Sequence, residues 1–413
     1  MKNKTGEQEM RIPWKKLSSA FMWFAALSMC VLPAVQSQGA EAWRVYVGGY
    51  HSDENFGINY GTYDPSNGAL KMEGLAVTTD NPSYLALHPK GGFIYCVNET
   101  ASFDGSGTVS AFSIDSETGK LQEISKLPTR GTYPCHLAVD QKGTRLAAAN
   151  YGSGSLIIFP INKRNGELSS STAFFQHSGS SVNKGRQEGP HAHQVAFDPK
   201  FRYLYCCDLG TDRIAIYAYN RTGIPLTASS TPFVEAEPGA GPRHMVFHPK
   251  KPFCYVLNEL NNTVSLYTAA FDSFLWKNIK KNTYHADGKL EKVDSWSLLP
   301  PEFEGTSLAA AIRIHPNGKF LYASNRGHDS IAIFSINQET GKLNPLGHAP
   351  TGGKNPRDFA IHPDGKTLLV AHQDSNDLIS FLVNPQTGEL ARSAQEPVKV
   401  SKPTCVIFVP VKK

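Results

Sequence analysis

Four residues of this 413-residue chain have side chains suited to moving a proton beside a held anion: His193, Arg243, Glu259 and Arg326. A histidine or a glutamate passes protons efficiently once its surroundings tune it. Arginine forks bind carboxylates, phosphates and developing oxyanions through paired N–H donors. The four lie far apart in sequence. They become a set because each falls at one of two equivalent places in a repeated unit, where it replaces an ordinary residue.

The clearest copy of that unit is GPHAHQVAFDPKFRYLYCCD, Gly189 to Asp208. A Pro leads into a short alternating strand (193–197), then a tight turn at Asp198 to Phe201, then a second strand (203–207) ending on a polar residue. A third strand follows at 213–217. Other copies begin at Ser83 (SYLALHPKGGFIYCVNE), Cys135, Arg243 (RHMVFHPKKPFCYVLNE), Ala310 and Arg357, with starts 47 to 67 residues apart. Strict alternation bounded by Gly, Pro, Asn and Asp is the signal of strands and hairpins. A repeat of about 50 residues carrying four strands predicts a β-propeller blade.

The chain ends are incomplete in complementary ways. RVYVGGY after Trp43 matches the second strand of the unit, so the first copy lacks its inner strand, and KPTCVIFVPV from Lys402 matches an inner strand with nothing after it. The predicted fold is therefore all-β: seven four-stranded antiparallel blades in a ring, closed when the C-terminal strand completes the N-terminal blade and removes free edges. Length alone suggests two or three domains, but a closed ring is one, spanning 43–413.

In a blade, the start of the first strand and the end of the second lie on the same face, so residues at these places converge on one funnel. The first place reads Ser83, Cys135, His193, Arg243, Ala310, Arg357 and Thr404 around the ring; the second reads Tyr50, Glu99, Tyr151, Leu209, Glu259, Arg326 and Gln373. Desolvation at a channel mouth makes unpaired charge costly, so such a gathering points to a polar ligand or an internal ion-pair network. His193, Glu259, Arg243 and Arg326 are the expected catalytic group. Substrate contacts are expected from His191, His244, Arg357, Asn258 and Asn325. The recurring Asn at this strand end, and the His or Asp before the turn Pro (His88, Asp198, His248, His315, His362), read equally as turn and blade-packing devices. Insertions at 169–188 and 271–288 are expected to overhang the rim.

Composition narrows the function. The formal charge of +5 drops once the first 42 residues are set aside: they carry five of the 41 Lys/Arg and three of the 36 Asp/Glu, leaving 36 against 33. A near-neutral body argues against nucleic acid as a partner, so any anion preference must be local. Lys15 and Lys16 precede an apolar run from Ala20 to Val35 that is too short to span a bilayer, and Ala40 and Ala42 stand at cleavage spacing. This predicts a signal peptide over 1–42 and a periplasmic or extracellular protein with no membrane insertion after cleavage. Six cysteines remain, within strands, without Cys/His metal spacing, and are expected as buried thiols. No metal ligand set and no dinucleotide fingerprint appears.

The motifs GPHAHQVAFDP (Gly189), DLGTDRI (Asp208), PGAGPRHMVFHP (Pro238), VLNEL (Val256) and SNRGHDSIAIF (Ser324) resemble the bacterial seven-bladed 6-phosphogluconolactonase family, which is similar to the fungal carboxy-cis,cis-muconate lactonizing enzyme. The resemblance covers the chain from residue 43. It implies hydrolysis of an anionic sugar lactone, 6-phosphogluconolactone first, without cofactor or metal, as in the pentose phosphate pathway. By motif position the family's proposed histidine falls on His193, its arginines on Arg243 and Arg326 and its acid on Glu259, with His193 preferred over Glu259 as the base. Relatives often carry Glu where this chain has Ala310 and Ala311. The resemblance leaves open an extracytoplasmic hydrolase of an unphosphorylated lactone, a lactonizing isomerase and a binding propeller without catalysis. Mass spectrometry of the exported protein is expected to find an N-terminus near residue 43; a chain beginning at Met1 or Met10 overturns the cleavage.

Overall fold

In the fourth copy, alternating apolar residues give each strand two buried faces, one for each neighbouring sheet. The computed structural model describes residues 42–50, 56–220, 225–269 and 288–411; the expected signal segment and most of the second insertion (270–287) lie outside them. Strands Ala192–Phe197, Tyr203–Asp208, Arg213–Tyr219 and Leu226–Glu235 pair antiparallel in chain order from the channel outwards. The other copies build the same blade, with inner strands at Tyr84–Leu87, Pro134–Val139, Pro242–Phe247, Leu308–Ile314 and Pro356–Ile361. No helix occurs among the described residues.

The ring closes as the chain ends require. Pro403–Pro410 pairs antiparallel with Trp43–Gly49 and becomes the inner strand of blade one, in the order last, first, second, third. Seven apolar clusters form the core, each drawn from two adjacent blades: Tyr255, Leu266, Leu321 and Phe334 join blades five and six, and Val45, Leu369 and Val406 join blades one and seven. No blade buries its faces alone, so closure is a condition of stability and not an ornament.

Two repeated hydrogen bonds lock neighbouring blades. The tyrosine in the second strand donates to the carbonyl of a turn glycine on the next blade, as in Tyr46 to Gly119 (2.8 Å), Tyr95 to Gly166 (3.0 Å), Tyr255 to Gly341 (2.7 Å) and Tyr322 to Gly388 (2.9 Å). Gly341 needs its freedom: φ is +74°, and a Cβ there would meet the Phe253 ring at 2.8 Å. The His before the turn Pro makes the second lock, pairing through Nε2 with Gly143 O from His88, Gly318 O from His248 and Gly365 O from His315. Asp198 instead ties its own turn, accepting from the N–H of Arg202 and Tyr203. The six cysteines Cys96, Cys135, Cys206, Cys207, Cys254 and Cys405 are buried free thiols.

Deleting 402–413 removes the inner strand of blade one and exposes the cores it shares with both neighbours. No soluble monomer is expected on gel filtration; a truncate that melts with the full chain's cooperativity contradicts closure as the stabilising step.

Candidate active site

A backbone irregularity aims the first set of side chains. The inner strands of blades three, four, five and seven each carry a register shift at their first residues: Pro134 pairs with Asn150 and His136 with Ala149, which leaves Cys135 outside the ladder. His193, Arg243 and Arg357 are left out in the same way. A bulge of this kind re-aims the extra side chain, here into the channel mouth. In blade six the shift lies between Ala309 and Ile312, so Ala310 and Ala311 occupy the equivalent place.

The second set sits at the mouth end of the second strand: Glu259 directly follows its strand, and Arg326 is the last residue of its own, paired with Leu308. The Asn before each anchors the hairpin: Asn258 Nδ2 donates to Thr263 Oγ1 (2.9 Å) and Ser265 Oγ (3.1 Å), and Asn325 Nδ2 donates to Leu298 O (2.8 Å) and Ser330 Oγ (3.3 Å). The amides of Asn258 and Asn325 therefore point into their blades and do not line the cavity. Their expected substrate contact gives way to the packing role that the same recurrence also suggested. The next residue in each case, Glu259 or Arg326, reaches the mouth.

The two sets meet around a cavity of about 180 Å³ lined by His193, Arg243, Glu259, Arg326 and Arg357, with Glu99, Cys135, Tyr151 and Arg186. Glu259 is its centre. Oε2 accepts from Arg243 Nε (2.8 Å) and Arg326 Nη2 (2.9 Å), and Oε1 accepts from Arg186 Nη2 (2.7 Å). Burial by itself raises the pKa of Glu259, but Arg326 and Arg243 outweigh it, aided by His193 and Arg186, and hold the carboxyl well below the ordinary range. Burial, with Arg326 beside it, pushes Arg243 down to about 10, so the guanidinium stays charged at neutral pH.

Backbone carbonyls aim the arginines. Arg243 Nη1 donates to Ala310 O and lies 3.2 Å from His244 Nε2; Arg326 donates to Leu308 O and Ala309 O, both at 3.2 Å. Arg243 Nη2 and Arg326 Nη1 make no hydrogen bond among the described residues. Across the cavity, Arg357 Nη2 donates to Tyr50 Oη (2.8 Å), which donates to Glu99 Oε1 (3.0 Å). Four guanidiniums thus face two carboxylates, a surplus of two positive charges.

His193 is 5% exposed, with Nδ1 3.8 Å from Cys135 Sγ. Burial first, and then Arg243, depress its pKa well below the ordinary value, so the imidazole is neutral. His244 lies deeper, its ring 5.3 Å from His193 and 5.5 Å from His136, and it touches the site through Arg243 and the His193 ring. His191 belongs to the rim: it stacks on Tyr151 at 4.5 Å and pairs with Tyr151 O and Glu188. The structure thus brings His193, Arg243, Glu259, Arg326 and Arg357 together, and sets His191 and His244 behind them.

Arg186 is the addition that repeat reasoning passed over, because it stands in the insertion and not in the unit. That insertion is a built loop. Gln187, fully buried, donates through Nε2 to Leu209 O (2.9 Å) and accepts from Asn183 N–H (3.1 Å), and so fixes Arg186 over the cavity. Blade four offers only Leu209 at its second place, and Arg186 brings a charge to that sector. Its closeness to the GPHAHQ motif was the available signal.

The family model "Lactonase, 7-bladed beta-propeller" matches residues 44–408. The chain belongs to the seven-bladed β-propeller lactonase family. It is 34% identical over 314 residues to the 6-phosphogluconolactonase of Bacillus subtilis, covering 76% of this chain and 83% of that protein. It is 36% identical over 308 residues to the 6-phosphogluconolactonase of Formosa agariphila, covering 74% and 82%. Among solved structures, the periplasmic gluconolactonase of Pseudomonas aeruginosa superposes with a TM-score of 0.79 at 30% identity, covering 90% of this chain and all of that one. In this lactonase-family chain the bulge residues and the Glu259 cluster sit at one mouth of the ring.

Glu259→Gln strands three arginines around a neutral amide. Loss of about 3 to 5 kcal/mol of stability is expected at pH 7, the range for breaking a buried pair. The folded pKa of Glu259 lies below its unfolded value of about 4.3, so its stabilisation is complete above that pH and fades below it. The gap in Tm between wild type and Glu259→Gln should therefore narrow from pH 7 to pH 3.5; a constant gap places the coupling elsewhere.

Proposed function

We propose that this chain hydrolyses an anionic sugar lactone, with 6-phosphogluconolactone the preferred substrate. The observation that carries this reading is the surplus of two positive charges in a buried cavity whose guanidinium N–H groups are not all used internally. The two named 6-phosphogluconolactonases, alike over most of their length, support it.

Hydrolysis adds water to the lactone carbonyl, puts negative charge on the carbonyl oxygen and then breaks the bond to the ring oxygen. We assign oxyanion stabilisation to Arg243 Nη2 and Arg326 Nη1, whose guanidiniums are already oriented by Glu259 and by backbone carbonyls and need little rearrangement as charge develops. Glu259 is their anchor. A carboxylate already holding three guanidiniums is a weak proton acceptor, so it does not act as the base. His193, neutral and with no hydrogen bond at Nε2 among the described residues, hydrogen-bonds the departing ring oxygen. Arg357 and Arg186 hold the anionic group.

A second reading is an exported hydrolase of an unphosphorylated lactone. The N-terminal sequence favours it, as does the likeness to a periplasmic gluconolactonase. No helix among the described residues is long and apolar enough to cross a membrane.

Hydrolysis of 6-phosphogluconolactone and of gluconolactone by residues 43–413, corrected for spontaneous hydrolysis, separates the two. The phosphorylated lactone is expected to turn over faster, and Arg326→Ala to lower kcat/KM by about 10²- to 10³-fold, the usual loss for one oxyanion donor. Turnover of gluconolactone alone selects the second reading, and turnover of neither overturns both.

A further inference from the structure

The cavity holds a second carboxylate that the assignments above leave unused. Glu99 follows the anchored Asn98 at the second place of blade two, and its backbone is fixed from both sides: its N–H donates to Asn81 O (3.0 Å), and Asn81 Nδ2 lies 3.4 Å from Glu99 O. Its two oxygens differ. Oε1 accepts from Tyr50 Oη at 3.0 Å, whereas Oε2 is buried from solvent and has no hydrogen-bond partner among the described residues. A buried acceptor without a donor is unfavourable, and a fold retains one most readily where a ligand supplies the donor.

The other proton acceptors of the cavity are less suitable. Both oxygens of Glu259 are taken by guanidiniums. A proton on His193 would create a buried cation beside Arg243, whereas a proton on Glu99 discharges a carboxylate. The groups facing Glu99 are Tyr50 from blade one, Cys135 from blade three and Arg357 from blade seven, with Arg243 and Glu259 across the cavity.

We infer that Glu99 is the general base, its Oε2 taking the proton from the water that attacks the lactone carbonyl. This rests on the lactonase reading. The water oxygen bonds to the carbonyl carbon as its proton passes to Oε2, and the carbonyl π pair moves to the oxygen held by Arg243 and Arg326. The tetrahedral intermediate collapses, the bond from the carbonyl carbon to the ring oxygen breaks, and the proton returns from Glu99 to that oxygen, leaving a hydroxy acid and a regenerated carboxylate. One proton is carried, and no other reactant enters. Tyr50 is a positioning residue: by donating to Oε1 while accepting from Arg357, it fixes the Glu99 carboxylate in the cavity wall and leaves Oε2 as the oxygen it does not occupy.

The test compares wild type with Glu99→Gln, Glu99→Asp and Glu99→Ala on whichever lactone the wild type hydrolyses. Glu99→Gln should lower kcat by about 10²- to 10⁴-fold, the usual weight of general base catalysis, with KM little changed and the acid limb of the pH–rate profile gone. Glu99→Asp should regain part of the rate, and added formate should restore turnover to Glu99→Ala, which a purely structural role would not allow. An active wild type with Glu99→Gln within threefold of it, or with Glu99→Ala folded by its melting curve and deaf to formate, removes Glu99 from the chemistry and leaves the lactonase reading standing. A wild type inactive on both lactones removes the reading itself, and the base with it.

Discussion

Guanidiniums repel one another, and with little water between them the repulsion is poorly screened. Arg186, Arg243 and Arg326 nevertheless share one buried place because Glu259 stands between them and offers both oxygens. The three come from a loop, an inner strand and a second strand on different blades, so one carboxylate ties the sectors of the mouth together. The arrangement also fixes the direction of each remaining N–H. An arginine held at one edge of its fork presents the other edge to the cavity, and the rigidity that costs desolvation is what suits it to a developing anion.

The ring supplies the stiffness behind this. Tyrosine or histidine locks pass from blades one, two, four, five and six to a turn on the next, and the apolar cores lie between blades and not within them. A displacement of one inner strand is therefore resisted from both sides. Arg243, Arg326 and Arg357 sit on inner and second strands, Glu259 directly follows the end of one, and Arg186 stands in a loop whose own turn is braced by Gln187.

Most of this architecture was legible from the sequence, because period and alternation repeat seven times and the two broken copies fit together. The positions facing the channel followed from strand direction, which is why His193, Arg243, Glu259, Arg326 and Arg357 were found without a structure. Three things were not readable. The first was side-chain orientation at a recurring residue: Asn258 and Asn325 stand beside the mouth in sequence, yet their amides serve Thr263, Ser265 and Ser330 within the blades. The second was anything outside the repeat, since Arg186 has no equivalent to be compared with. Which groups pair was equally hidden: Glu99 and Glu259 occupy the same place in their copies, and only coordinates separate the saturated carboxylate from the one with an oxygen to spare.

The register shift at the head of the inner strands sets Cys135, His193, Arg243 and Arg357 outside the ladders of their sheets. A residue whose backbone carries no ladder duty can be exchanged at small cost to strand pairing, and in blade six the same place is held by alanines. The mouth of the ring thus behaves as a row of interchangeable sockets mounted on an invariant frame. Evolution can rewrite the reagents of such a molecule one sector at a time, while the scaffold that holds them goes on folding unchanged.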